Sequence, residues 1–128
     1  MRAALFICIL GVLTWVGCTS SDTVASINRS RLSQLSKGMS RAQVLKIMGT
    51  DTLRSRAPRG ISNPWRTESF QGQSGKSYEV IYYYTAVRTR DGVVSEDELT
   101  PIVLANGKLV GWGNTFFTRV KKLESRGK

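Results

Sequence analysis

The chain has 128 residues, with 19 Lys+Arg against 9 Asp+Glu, so its formal net charge is +10. That length allows a single domain, close to the size at which one core is only just adequate. The sequence contains no His, which excludes a His-based catalytic triad, a His zinc ligand and an imidazole proton shuttle. The hydrophobic fraction of 41% is too high for a disordered tail.

Residues 1–17 are predicted to be a lipoprotein signal peptide. Arg2 gives a positive start, and Ala3–Val16 is an apolar run of fourteen residues. This is the length of a signal-peptide core and is too short for a membrane-spanning helix. A buried core helix is the alternative, but the run is apolar all round and a small domain has little interior to cover it. Export is therefore the favoured interpretation.

The end of the apolar run resembles the lipobox of bacterial lipoproteins. Gly17 precedes Cys18, and the sequence turns polar immediately afterwards. The resemblance implies cleavage before Cys18 and acylation of that residue. Cys8 would leave with the leader, so the mature chain would have no second Cys for a disulfide. Thr19 is not the Asp of an inner-membrane retention signal, which favours the outer membrane, facing the periplasm. Ordinary secretion, with Cys18 as a free thiol, is the alternative.

Residues 18–27 are predicted to be a polar tether, followed by a domain over 28–118. A first short helix is predicted over Ile27–Leu35. A second helix follows Ser40, because Ser40 and Gln43 have the spacing of a capping box. This helix places Val44, Ile47 and Met48 on one face and ends at Gly49.

The second half of the domain carries strand patterns. Trp65–Phe70 is predicted as a first strand, and Ser77–Thr85 has the strongest alternation, with Tyr78, Tyr82 and Tyr84 on one face. These tyrosines are predicted to be core residues rather than a ligand platform. Leu99–Ala105 and Lys108–Trp112 flank Asn106-Gly107, a sequence typical of a type I′ hairpin turn. Pro101 is expected to face a sheet edge or to mark a strand start.

These elements predict an α+β fold, with two short N-terminal helices packed on one face of a small antiparallel sheet of about three or four strands. Residues 119–128 are predicted to form a basic C-terminal tail. Its cations are Arg119, Lys121, Lys122, Arg126 and Lys128.

The order of these motifs resembles the SmpA/OmlA (BamE-like) family of small outer-membrane lipoproteins. Lys37–Thr50 carries the family's Gly-Met-Ser helix, and residues 91–113 resemble the strand block of one branch of that family. The resemblance covers about residues 28–118. The known member of that family belongs to the barrel-assembly machinery and binds other assembly lipoproteins and anionic lipid, whereas the branch that residues 91–113 resemble has no known function.

No catalytic constellation is evident, so the chain is predicted not to be an enzyme and to need no cofactor or metal. Glu96-Asp97-Glu98 is the only acidic cluster. Three acids could hold Ca²⁺ or Mg²⁺, but a solvated acidic turn is favoured. Gly111-Trp112-Gly113 lacks the helix and Lys-Ser/Thr of a phosphate loop. The export signal argues against nucleic acid, although the charge would suit it.

Arginines and aromatics are the candidate partner-binding residues, because this combination is typical of interface centres. Near a membrane the basic residues would also suit anionic lipid, lipopolysaccharide or an acidic protein, and a merely solvated charged surface is the alternative. The candidates are Arg54, Arg56, Arg59, Trp65, Arg66, Phe116 and Phe117.

Two functions follow from the sequence. The first is a lipid-anchored envelope protein that binds protein partners as a scaffold or assembly factor. The alternative is a soluble periplasmic binding or inhibitory module for an acidic or cell-wall ligand.

Overall fold

The structure is a computed structural model that describes residues 21–54 and 60–126. Within these ranges the chain forms three α-helices and six β-strands, with one 3-10 turn at Glu96–Glu98. In chain order the elements are α1 (Ser21–Leu32), α2 (Arg41–Met48), β1 (Thr52–Leu53), β2 (Ile61–Ser62), β3 (Arg66–Gln71), β4 (Ser77–Tyr84), β5 (Leu99–Ala105), β6 (Lys108–Trp112) and α3 (Asn114–Ser125).

The predicted α+β class is confirmed. Strands β3 to β6 form an antiparallel sheet in the order β3-β4-β5-β6, and β1 pairs separately with β2. The predicted strands lie where expected, with β3 shifted by one residue. Asn106 and Gly107 both have positive φ, 48° and 77°, which confirms the predicted turn between β5 and β6.

Both faces of the sheet are covered, so the expectation of helices on one face is wrong. The side chains of Tyr78, Val80, Tyr82 and Tyr84 pack with α1 and α3, which confirms the tyrosines as core residues. The alternate residues of β4, among them Ile81, pack with α2 on the opposite face. Because β4 is buried on both sides, it needs a helix layer on each.

The first helix begins earlier than predicted. Residues 21–27, assigned above to the tether, lie in α1, and this helix ends at Leu32 rather than Leu35. Val24, Ala25 and Asn28 form its fully buried stripe. Only two of these are apolar, which is why the hydrophobic pattern did not show the helix.

A pair of buried amides attaches α1 to the sheet. The side-chain amide of Asn28 donates to Asn63 Oδ1 at 3.1 Å and to the Tyr84 carbonyl at 2.7 Å, and Asn63 Nδ2 donates back to Asn28 Oδ1 at 3.0 Å. Asn28 is fully buried and Asn63 is 3% exposed. Since unpaired buried amides are costly, this reciprocal pair fixes the position of α1.

The structure confirms the capping box and the C-terminal glycine predicted for the second helix, α2. The backbone N–H of Gln43 donates to Ser40 Oγ at 3.2 Å, and Gln43 Oε1 accepts from the Ser40 N–H at 2.8 Å. Gly49 ends the helix with φ 84°. The side chain of Arg31 on α1 donates to the Met48 carbonyl at 2.8 Å, so α1 satisfies a free carbonyl at the end of α2.

Pro101 is the third residue of β5, an inner strand, and it lies just past the point where pairing with β6 ends, in line with the expectation that it faces an edge. Its register partner is Tyr82 on β4. The last paired residue of β6, Trp112, lies opposite Ile102, so β6 has already ended beside Pro101. The missing N–H therefore faces a position without a ladder partner, while the Pro101 carbonyl accepts from Gly113 N at 2.8 Å.

Residues 119–125, which were predicted to belong to a basic tail, lie in the helix α3. Within α3, Phe116, Phe117 and Val120 pack on the sheet, while Arg119 and Lys122 are exposed. The apolar residues have helical spacing, but the five cations of the segment concealed it in the sequence.

Candidate partner-binding surfaces

The arginine loop is described only in part. Arg54 is exposed, one residue after β1. Arg56 and Arg59 lie outside the described residues, as does the candidate lipidation site Cys18. Their predicted roles stay predictions.

Trp65 offers exposed apolar surface immediately before β3. Its side chain is 36% exposed, and its backbone N–H donates to the Tyr82 carbonyl at 2.8 Å. Val93 and Leu123 are the other large exposed hydrophobic residues of the described part of the chain, at 63% and 66%. Trp65 is therefore the predicted aromatic candidate best placed to contact a partner.

Arg66 is held by neighbours and does not present a free charge. Its two terminal nitrogens bind both carboxylate oxygens of Glu96, at 2.5 and 2.7 Å. The guanidinium also lies 4.1 Å from the ring centroid of Tyr82 and contacts Glu68 at 3.3 Å. The hydrogen bond with Glu96 raises the pKa of Arg66, although partial burial opposes the shift. Much of its charge is thus neutralised within the chain.

Phe116 and Phe117 take part in the packing of α3 on the sheet. Both are half-buried against the core. The ring of Phe117 lies 6.4 Å from that of Phe70 and meets the Tyr82 ring edge-on at 6.2 Å. The ring of Phe116 fills the space above Gly111. Most of their apolar surface therefore already contacts the sheet.

The acidic turn is only partly solvated, which corrects the expectation for Glu96-Asp97-Glu98. Glu96 and Asp97 are exposed, but Glu98 is 1% exposed. Its carboxylate accepts backbone N–H groups from Arg88 at 2.7 Å and Ser95 at 3.0 Å. Among the described residues, no group of three His, Cys, Asp or Glu is arranged to hold a metal ion.

A groove lies between β3 and α3. Its volume is about 640 Å³, and Lys121 and Lys122 stand on its helix side. Nζ of Lys121 lies 4.9 Å from the ring centroid of Phe117, which supports that ammonium group beside the groove. The other lining residues are Phe70, Gln71, Gln73, Thr118, Glu124 and Ser125.

Glu124, one of the residues that line the groove, connects α3 to the turn between β3 and β4. Its carboxylate accepts the Ser74 N–H at 3.0 Å, the Ser74 hydroxyl at 2.7 Å and the Tyr78 hydroxyl at 2.7 Å. The backbone hydrogen bond from Ser74 is the main cause that lowers the pKa of Glu124 to about 2. The carboxylate is therefore already occupied by donors of the chain.

We expect Glu124→Gln to release the end of α3 and to accelerate amide hydrogen exchange at Ser74. The wild type should show the same loosening in acid. The pKa of Glu124 is about 2 in the folded protein, below the value of about 4.3 in the unfolded chain. The stabilisation from its hydrogen bonds to Ser74 and Tyr78 is therefore complete above about pH 4.3 and is lost as the pH falls towards 2. Hydrogen exchange from pH 7 to pH 2 measures this, with Ser125→Ala as the control. Unchanged exchange at Ser74 in Glu124→Gln would contradict the assignment.

The sequence did not indicate this groove, since it joins β3 to a helix more than forty residues later in the chain. A signal was present in Phe116, Phe117 and Val120, whose spacing fits one helix face.

No helix in residues 21–54 or 60–126 is long and apolar enough to cross a membrane.

The fold and the surfaces define a small α+β domain with a groove between β3 and α3 that is lined by two lysines. The family described as "Protein of unknown function (DUF3192)" matches residues 19–119, and the chain belongs to that family. Neither a curated protein nor a solved structure matches the chain.

Proposed function

We propose that the chain is a lipid-anchored protein of the bacterial cell envelope, held at the outer membrane and facing the periplasm. Its domain binds protein partners without catalysis, as a scaffold or assembly factor. The observation that carries the proposal is the apolar run Ala3–Val16 followed by Gly17-Cys18. The resemblance to the SmpA/OmlA family supports the same role.

The distance between the proposed anchor and the folded domain is short. Helix α1 begins at Ser21, three residues after Cys18. Three residues span at most roughly 10 Å, whatever their conformation. Acyl chains on Cys18 would therefore hold the domain beside the lipid headgroups, and its partners would have to be reached from that position.

The exposed face of α3 is suited to this environment. Arg119 and Lys122 on α3, and Arg126 directly after it, recur at three- and four-residue spacing and are all exposed. Each cation near an anionic membrane contributes about 1 kcal/mol within a Debye length of the surface. The net charge thus supports a domain that works against an acidic surface.

We expect the chain expressed with its own leader to have the mass of residues 18–128 plus acyl chains and to fractionate with the outer membrane. Cys18→Ser should lose both the added mass and the membrane association, because it removes the acylated thiol. Intact mass spectrometry and membrane fractionation measure this, with Cys8→Ser as the matched control. An unlipidated wild-type protein in the soluble fraction would overturn the anchor.

A soluble periplasmic module for an acidic or cell-wall ligand is the second candidate. Lys121 and Lys122 beside the groove favour it, because they supply cations next to an apolar floor. This version requires that Cys18→Ser keeps full function in cells. It also requires that ligand binding weakens steeply with salt, since exposed charge pairs are screened.

A further inference from the structure

The two edges of the four-stranded sheet differ. The β6 edge is covered by the segment before α2, because Gly38 N donates to the Leu109 carbonyl and Leu109 N donates to the Met39 carbonyl, both at 2.8 Å. Ser40 also forms an isolated antiparallel bridge with Lys108. In the part of the chain that the structure describes, no segment pairs in this way with the outer edge of β3.

The hydrogen-bond phase of β4 shows which residues bond to which neighbour. Asn106 N donates to the Ser77 carbonyl at 2.8 Å, and Thr85 N donates to the Glu98 carbonyl at 2.9 Å. Since bonded pairs alternate along an antiparallel ladder, the odd-numbered residues of β4 bond to β5. The even-numbered residues therefore bond to β3.

This phase leaves every second residue of β3 with unused backbone groups. Phe70 lies opposite Tyr78, so Phe70 and its alternate neighbours direct their N–H and C=O towards β4. Thr67, Ser69 and Gln71 direct theirs outward, and all three are exposed. Within Arg66–Gln71 the register with β4 has no shift and the strand has no Pro, so this stretch lacks two common protections of edge strands.

The groove between β3 and α3 lies beside this edge. It can accommodate side chains of a peptide strand that pairs with β3. Phe70 and Thr118 form part of its lining, with Lys121 and Lys122 on the helix side. The nearby carboxylate of Glu124 is already bound by Ser74 and Tyr78. The groove therefore combines an apolar surface with two cations.

Glu68 lies on the same face of β3 as Phe70, and its carboxylate also contacts other side chains of this protein. Its carboxylate accepts the Tyr82 hydroxyl at 3.2 Å and contacts Arg66 at 3.3 Å. The oxygens of both carboxylates, Glu124 and Glu68, are thus engaged by donors of the chain, whereas Lys121 and Lys122 form no ion pair with any described residue.

We propose that the free edge of β3 binds an extended, acidic peptide segment of a partner protein, which adds to the sheet as a fifth strand. Backbone bonds to Thr67, Ser69 and Gln71 supply affinity, and acidic side chains reach Lys121 and Lys122. A second copy of the chain is disfavoured as occupant, since two chains of net charge +10 repel each other. The inference rests on the proposed protein-binding function and adds its surface and the chemistry of the partner.

Ser69 provides the sharpest test. Ser69→Pro removes an outward N–H without removing a β3–β4 bond, whereas the matched control Ser69→Ala keeps the N–H and loses only the hydroxyl. The probe is a phage-displayed library of random octapeptides, selected on the full chain. We expect the selected peptides to be acidic and to slow amide exchange at Thr67, Ser69 and Gln71. Their affinity should fall about tenfold or more in Ser69→Pro and stay unchanged in Ser69→Ala.

Charge reversal tests the acidic character of the partner separately. Lys121→Glu with Lys122→Glu should weaken the selected peptides about tenfold, because it places like charges beside the bound strand. Lys37→Glu with Lys108→Glu makes the same change in net charge at exposed residues near the β6 edge. This control pair should leave the affinity nearly unchanged. Circular dichroism on every variant verifies that the domain is folded.

The proposal is overturned if no peptide is selected, if folded Ser69→Pro binds the peptides as tightly as the wild type, or if the two charge reversals act equally. It is also overturned if the free chain is a dimer that Ser69→Pro dissociates, because the occupant is then a second copy. Photo-crosslinking in cells separates this failure from that of the proposed function. Envelope partners that crosslink to Trp65 but not to Gln71 would preserve the function and reject the β3 edge.

Discussion

Replacing Glu98 by Gln is expected to lower the free energy of unfolding at neutral pH by about 3 kcal/mol. The Glu98 side chain is 1% exposed, and its carboxylate accepts three backbone N–H groups, from Arg88, Thr89 and Ser95. A Gln amide would direct its own N–H donors towards some of these donors. Urea denaturation of both proteins measures the difference.

The loss of unfolding free energy in Glu98→Gln should depend on pH in a defined direction. Burial by itself would raise the pKa of Glu98, but the hydrogen bonds from Ser95, Arg88 and Thr89 outweigh it and lower the pKa. A lowered folded pKa means that the stabilisation is complete above the unfolded value of about 4.3 and is lost as pH falls through the folded pKa. The difference between Glu98→Gln and the wild type should therefore shrink in acid.

The neighbouring Asp97 provides the control for this measurement. It is exposed, and it accepts the Ser95 hydroxyl at 2.6 Å. Asp97→Asn is expected to change stability by less than about 1 kcal/mol, as is usual at the surface. The assignment fails if Asp97→Asn costs as much as Glu98→Gln, or if the loss at Glu98 is independent of pH.

Gly111→Ala is expected to destabilise the domain by about 2 kcal/mol because it separates α3 from the sheet. A Cβ at Gly111 would lie 2.7 Å from two ring atoms of Phe116. Gly111 is not among the described glycines with positive φ, so the cost comes from this steric contact and not from the backbone. Thermal and urea denaturation measure it.

A double-mutant cycle with Phe116→Ala isolates that contact. Removing the ring creates space, so Gly111→Ala should cost little in the Phe116→Ala background. Gly113 is the matched control: its φ is 97°, and a Cβ there would meet nothing within 4 Å. The cost of Gly113→Ala is therefore set by the backbone and should be the same with or without Phe116. Equal coupling of both glycines to Phe116 would contradict the packing of α3.

These contacts also show why the predicted aromatic candidates differ in exposure. Trp65 is exposed, whereas Phe116 and Phe117 are half-buried against the sheet. In the sequence both groups are aromatics near glycines and cations. Their exposure depends on whether a helix covers the sheet at that point, and α3 was hidden within a basic segment.

The sequence by itself determined the features that depend on close neighbours. Ser40 and Gln43 cap α2 reciprocally, and Asn106-Gly107 supplies the two positive φ angles of its turn. The alternation along Ser77–Tyr84 likewise defines two faces of one strand. Each signal acts within one turn of helix or along one strand, so it does not depend on the rest of the fold.

Only the tertiary structure decided which charges are used internally and which sheet edge stays open. Arg66 meets Glu96 thirty positions away, and Glu124 meets Ser74 fifty positions away. The cover on β6 comes from the segment before α2, while β3 has no described counterpart. Such pairings depend on how distant elements pack in three dimensions. Residue type and local spacing do not encode them one by one, because burial and hydrogen bonding are set by the assembled fold.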